Sequence, residues 1–243
     1  MENKTKTTMI PRPERGVLHH APWQYGKSEQ NTSLNLYGPR IGPVDILLIA
    51  AMHGDESETT VILSEALRRI PVGGIKNPVI LSTNPDGALQ GTRSNARGVD
   101  LNRNWPTANW SPGPVYHKDH GGTVQDIGLS PGASPASEAE TRALLDCVQM
   151  LQPRTIISLH APLACVEDPM GTSLARWIAK RVKLPMIPDV GYATPGSFGT
   201  WSAEQNINII TWELPSEPLA DMIASHTPVL FDLITGDYES GLD

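Results

Sequence analysis

DILLIAAMHGDES, residues 45–57, joins an unbroken apolar run to an imidazole and a carboxylate three positions apart, His53 and Glu56. Residues 45–51, preceded by Gly and Pro, have the length and apolar content of a strand buried on both faces. The next segment, SETTVILSEALRRI (57–70), carries apolar side chains at Val61, Ile62, Ala66 and Ile70, which is helical spacing. A buried strand that passes through a polar turn into a helix is the building unit of an α/β fold. The turn then lies at the carboxyl end of its strand, where open α/β sheets place their crevices.

The same pattern recurs outward from that stretch. PVILST (78–83) reads as a strand ending in NPDG, a turn signal. Residues 84–136 show little periodicity and much Gly, Pro, Asn and Trp, a loop region of a length that is usually functional. SEAETRALLDCVQML (137–151) returns to helical spacing. Ser137 and Glu140 form a capping-box pattern, and Ala143, Leu144, Cys147, Val148 and Leu151 make its apolar stripe. RTIISLH (154–160) and INIITWEL (207–214) read as strands, LARWIAKRVKL (174–184) as a helix. LADMIASHTPVLFDLI (219–234) is a last helix that Pro228 is expected to kink or divide. With no repeat and no low-complexity linker, residues 1–243 are expected to form one α/β domain, a mixed central sheet flanked by helices, with 1–40 an irregular lead-in.

Composition narrows the function. A formal charge of −7 argues against a nucleic-acid surface, which needs clustered Lys and Arg. The longest apolar run, ILLIAAM, is far short of a membrane span, and MENKTKTTMIPRPERG has no signal-peptide core. Cys147, on the apolar side of a helix, and Cys165, in a loop, read as free thiols of a reducing compartment, so the expected location is the cytoplasm. No nucleic-acid or membrane partner is expected, and monomer and homodimer both stay open.

Polar side chains collect at the ends of the apolar strands. His53 and Glu56 follow the first, NPDG the second, His160 ends RTIISLH, and Glu213 ends the strand of INIITWEL. Two His and one Glu are a zinc set that leaves a position open for water, and zinc brings the pKa of that water to about 7. A general base is then required, and Glu213 is the candidate. Taken singly, HGDE also reads as a turn with an acidic helix start, and Glu213 as an ordinary strand-end carboxylate. Their coincidence with His160 at matched strand ends favours a site. The loop QGTRSNARGVDLNRNWP (90–106) adds Arg93, Arg97 and Arg103, guanidiniums suited to a carboxylate or an oxyanion. HKDH (117–120) spaces two further His three apart, without a third ligand near in sequence.

The ordered set HGDE, NPDG, R-S-N, GVDLNRNW, SLH, GYATPGS and TWELP resembles the zinc carboxypeptidases of the carboxypeptidase A type, over residues 45 to 215. The resemblance implies one zinc ion per chain, held by His53, Glu56 and His160, with Glu213 as general base and proton donor to the leaving amine. It further implies Arg93 at the oxyanion, Asn102 and Arg103 on the free carboxylate of the terminal residue, and Tyr192 as a tyrosine that closes over substrate. HAPLACVEDP, GYATPGSFGTW and GVDLNRNWP look most like the bacterial murein peptide amidase subgroup. That implies a small cell-wall peptide as substrate, L-Ala–γ-D-Glu–meso-diaminopimelate, cut at the γ-D-Glu–diaminopimelate bond during peptidoglycan recycling. Ala161 departs from that subgroup, in which an Asp can follow the zinc histidine. For the charged far end of diaminopimelate, Glu167 and Asp168 are candidate partners of the ammonium, and Arg97 or Thr194 of the carboxylate. Two alternatives stand beside this reading: a deacylase of the aspartoacylase and succinylglutamate desuccinylase type, and a non-catalytic zinc-containing peptide-binding module.

Overall fold

The apolar run of the opening stretch becomes β3 (Val44–Ile49), an interior strand of a six-stranded sheet, in a computed structural model that describes residues 17–118 and 126–238. Before it come β1 (Trp23–Lys27) and β2 (Ser33–Leu36), and after it α1 (Ser57–Arg68), β4 (Val79–Ile80) and α2 (Pro85–Gln90). A 3-10 turn (Leu101–Arg103) and an antiparallel pair, β5 (Val115–Lys118) and β6 (Asp126–Leu129), lead to α3 (Ala139–Leu151). The chain continues with β7 (Pro153–His160), β8 (Cys165–Glu167), α4 (Ser173–Val182), β9 (Met186–Ile187), α5 (Phe198–Glu204), β10 (Asn208–Glu213) and α6 (Leu219–Thr235).

The sheet order is β4-β3-β7-β10-β8-β9. The strands β4, β3, β7 and β10 run parallel, while β8 enters antiparallel to β10, so the sheet is mixed as expected. Alternate residues of each strand face opposite layers. One layer packs Ile46, Leu48, Leu159, Ile210 and Trp212 against α1, α4 and α6. The other packs Leu47, Ile49, Ile156 and Ile209 against α3 and α5, with Trp105, Phe198 and Trp201 stacked beside them. Both faces of the sheet are covered, which is why its central strands read as continuous apolar runs.

Several local expectations are corrected. The lead-in is not irregular throughout, because β1 and β2 pair as an antiparallel hairpin with a shift between Gln24 and Gly26. Asp86 ties that hairpin down by accepting hydrogen bonds from Ser28 Oγ, Gln30 N and Thr32 Oγ1 at 2.8–2.9 Å. NPDG is a helix start rather than a turn: Pro85 takes the first helical position and Asn84 Oδ1 accepts from Gly87 N at 3.0 Å. The capping box at α3 does not form. Ser137 Oγ bonds the Glu138 carboxylate instead, and Glu140 accepts from Glu29 N and Asn95 Nδ2. On α1, Val61 is 37% exposed, while Leu63 and Leu67 are buried in its place. Pro228 lies inside an undivided α6, held by Met222, Val229, Leu230 and Leu233 in the core. Cys165 lies on a strand rather than in a loop, and both thiols are buried and free.

α6 also buries His226 against the Trp212 ring, centroids 5.5 Å apart, with its Nδ1 unpartnered among the described residues. Burial pushes its pKa down to about 4, below the unfolded value of 6.5. Between those values the unfolded chain binds the extra proton, so the His226 contribution is complete above about pH 6.5 and is lost as pH falls toward 4. The slope attributable to one such proton is at most about 1.4 kcal/mol per pH unit. Subtracting the denaturant-stability profile of His226→Leu from that of the wild type over pH 5–7 is expected to isolate that slope. A difference that is flat across this window would contradict it.

Candidate metal centre and cleft

The turn that carries His53 and Glu56 is fixed by backbone approach. Gly54 N donates to Arg93 O at 3.3 Å, and a Cβ on Gly54 would stand 2.1 Å from the Gly87 carbonyl carbon in α2. Only glycine fits between His53 and Glu56 at that crossing. Glu56 is the N-cap residue of α1, and its carbonyl accepts from Thr59 Oγ1 at 2.6 Å. His160 arrives as the last residue of β7, where its carbonyl accepts from Leu214 N at 2.7 Å.

These elements bring the three side chains together in a buried cluster. His53 Nδ1 lies 2.7 Å from Glu56 Oε1, and His160 Nδ1 lies 3.0 Å from Glu56 Oε2. The two Nδ1 atoms face each other at 3.2 Å. Two imidazoles that donate to one carboxylate would crowd their protons together at that separation. Two lone pairs turned on one cation would not, and ligand atoms around tetrahedral zinc stand about 3.3 Å apart. The remaining ring nitrogens have outer partners. His53 Nε2 is 3.3 Å from Asp100 Oδ1, off the ideal hydrogen-bond direction, and His160 Nε2 is 3.0 Å from Ser158 Oγ. Such partners fix the orientation of metal-binding imidazoles. The donor set and its surroundings fit zinc.

The charges are strongly coupled. Burial and Arg93 pull the His53 imidazole down, but Glu56 and Asp100 outweigh them and lift it to about 9. Burial works against ionisation of Glu56, yet His53 and His160 hold it well below the usual carboxylate range. Asp100 is likewise held low against its burial by Arg93 and His53. Sequence reasoning missed Asp100 and Ser158. Asp100 caps the 3-10 turn through Asn102 N and reaches Arg93 Nε at 3.2 Å, so it joins His53 to the arginine loop.

Glu213 ends β10 in register with His160 of β7 on one side and Cys165 of β8 on the other. Its Oε2 accepts from Leu163 N at 3.3 Å. Burial raises its pKa, against the pull of His160. Arg93 Nη1 stands 3.4 Å from Glu56 Oε1. Arg103 is buried, its Nη1 donates to Asn102 O, and its Nε has no partner among the described residues. Burial lowers its pKa, and Arg93 adds to that. Asn102 Oδ1 accepts from Phe198 N at 2.9 Å, which anchors it to α5. Tyr192 is 59% exposed, and its phenol feels Glu213, Arg103 and Arg93.

Three of the four substrate-pocket candidates are committed elsewhere. Asp168 is buried and accepts from Met170 N, Thr172 N and Thr172 Oγ1. Arg97 turns to Glu138 and Glu29 at 3.4 and 4.0 Å, where with Asn95 it satisfies the other carboxylate cluster, Glu29, Glu138 and Glu140. Thr194 Oγ1 donates to Ser197 Oγ at the start of α5. Glu167 remains. The second histidine of HKDH lies outside the described residues.

The chain is similar to known proteins in sequence and in fold. The zinc carboxypeptidase family profile matches residues 76–175. The chain is 42% identical to murein peptide amidase A of Escherichia coli K12 over 211 residues, which is 86% of this chain and 87% of the relative. Against the murein peptide amidase A of Vibrio campbellii the identity is 39%, over 95% of this chain and 94% of the relative. The crystal structure of the murein-tripeptide amidase of Escherichia coli O157 superposes with a TM-score of 0.87 at 38% identity, covering 93% of this chain and 96% of that one. Carboxypeptidase A of Helicoverpa armigera shares the fold at 16% identity, with a TM-score of 0.66 over 90% of this chain and 68% of that one.

Proposed function

We propose, because the chain belongs to the zinc carboxypeptidase family, that it is a metallopeptidase that hydrolyses the γ-D-Glu–meso-diaminopimelate bond of the murein tripeptide. His53, Glu56 and His160 would hold one zinc ion, which supplies Lewis acidity to the scissile carbonyl and acidifies a water. The rest of the chemistry belongs to the chain's own side chains.

Arg103, with Asn102 beside it, receives the free carboxylate of the terminal diaminopimelate. Its buried Nε, unpartnered among the described residues, is the observation that carries the carboxypeptidase reading, because a desolvated guanidinium with no carboxylate paired to it there calls for an anionic ligand. Arg93, held by Asp100 and Glu56, offers positive charge to the oxygen of the attacked carbonyl. Glu213 takes a proton as water oxygen bonds to the carbonyl carbon. It then returns that proton to the departing nitrogen as the C–N bond breaks, leaving the γ-carboxylate of Glu and free diaminopimelate. A pKa raised by burial suits a carboxylate that must first accept a proton and then release it. Tyr192, exposed above this set, would close over bound peptide. Glu213 and Arg93 together favour turnover over a binding-only module, and the relatives that match most of the chain favour a peptide over an acylated amino acid.

Two buried free thiols suit a reducing compartment, and no described helix is long and apolar enough to cross a membrane. We place the enzyme in the cytoplasm, in peptidoglycan recycling. The carboxylate requirement is tested by amidating the terminal α-carboxylate of the tripeptide. The expected loss in kcat/KM is about 100-fold, and Arg103→Met should slow the free acid toward the rate of the amide. Equal rates on acid and amide would remove Arg103 from its role.

A further inference from the structure

Resting on that reading, we propose that Glu167 selects the terminal residue by binding the ammonium group at the far end of the diaminopimelate side chain. The argument begins with strand register. Glu213 is opposite His160 in parallel β7 and opposite Cys165 in antiparallel β8. Two residues back along β10, Thr211 is opposite Ser158 and Glu167. Directly opposed residues point to the same sheet face, as do residues two apart on one strand. Glu167 therefore projects on the face that carries His160 and Glu213, one row deeper, about 7 Å along the strands. Asp168, next in sequence, alternates to the other side and is consumed by the turn before α4.

Burial marks an opening at that deeper row. His160, Glu213 and Cys165 above it are buried, and Ile156 and Ile209 close the face below it. Between them Thr211 and Glu167 are only half-buried. The side chain of diaminopimelate spans four carbons, about 5–6 Å when extended. With its α-carboxylate on Arg103 and its amide nitrogen at Glu213, that chain reaches the row of Thr211 and Glu167.

The charge of Glu167 is uncompensated. Its Oε1 accepts from Val190 N at 3.2 Å, and no Lys or Arg forms an ion pair with it among the described residues. Burial raises its pKa and Asp189 adds to the rise, against hydrogen bonds from Thr211 and Val190 N and the neighbouring His160. A half-buried carboxylate without a counter-charge, beside the place of bond cleavage, is suited to a substrate ammonium. The terminal residues it favours are diaminopimelate and lysine, which carry an amine at that distance, over uncharged side chains of the same length.

The test compares L-Ala–γ-D-Glu peptides ending in meso-diaminopimelate, L-lysine and L-norleucine, with zinc-loaded wild type and Glu167→Gln. Gln keeps an oxygen for Val190 N, removes the charge and turns the second carboxylate oxygen, which can accept from Thr211, into an amide NH2. The wild type is expected to prefer the two amines over norleucine by about 10- to 100-fold in kcat/KM. In Glu167→Gln that preference should collapse toward unity, mainly through KM. A substitution that slows all three peptides equally would leave the ratio intact and mark Glu167 as a support of the 189–192 loop, which overturns the proposal. An unaltered ratio with unaltered rates overturns it too. Cleavage of none of the three by the wild type is a separate pattern and would remove the peptidase reading itself, and this assignment with it.

Discussion

Glu213→Gln is expected to lower kcat by about 10³- to 10⁴-fold while the protein still binds one zinc per chain. Gln has nearly the shape of Glu, and its Oε1 can still accept from Leu163 N, the one side-chain hydrogen bond of Glu213 among the described residues. What it cannot do is hold a proton between the water and the leaving nitrogen. KM should change little, because the proposed binding of the terminal carboxylate rests on Arg103. Zinc content by atomic absorption and single-turnover rates on the tripeptide separate the two effects. A variant that keeps more than a tenth of wild-type kcat would place the base elsewhere.

His160→Ala should have an equally large effect by a different route. It removes one of the three proposed ligands and leaves Ser158 Oγ and Glu56 Oε2 without their imidazole partner. Zinc is expected to fall below about 0.1 per chain after dialysis, and activity with it, since two remaining donors make a weak site. Chelation of the wild type should mimic the variant and also lower its Tm. At zinc 1,000 times its Kd the bound ion contributes about 4 kcal/mol, and the chelated protein loses it. The His160→Ala variant should show no further loss with chelator. A variant that retains a full complement of zinc would mean that His160 is not a ligand.

The chain disclosed its architecture where the physics is local. Runs such as DILLIAA and RTIISLH are apolar because both faces of the central strands are covered, and the polar side chains that end them mark the sheet's carboxyl edge. What escaped depends on partners far along the chain. Asn-Pro serves both turns and helix starts, and the contacts of Asn84 with Met52 and Arg93 accompany its role as a cap. Glu140 has the spacing of a capping box but is drawn off by Glu29, over a hundred residues earlier. The hairpin of residues 23–36 is short and half-polar, so no pattern announces it. Asp100 gains its meaning only when folding brings His53 and Arg93 to it. The choice between Glu167 and Asp168 required the register of β8 on β10, which no single-chain periodicity encodes.

The central claim is that the buried His53, Glu56 and His160 cluster and the carboxylate of Glu213 form one hydrolytic machine for a peptide with a free terminal carboxylate. The most direct measurement is release of free diaminopimelate from L-Ala–γ-D-Glu–meso-diaminopimelate by zinc-loaded protein, with a chelated control. Release that tracks zinc, one ion per chain, and stops with chelator is the predicted result. Protein that holds its zinc and leaves the γ-D-Glu–diaminopimelate bond intact would contradict the account.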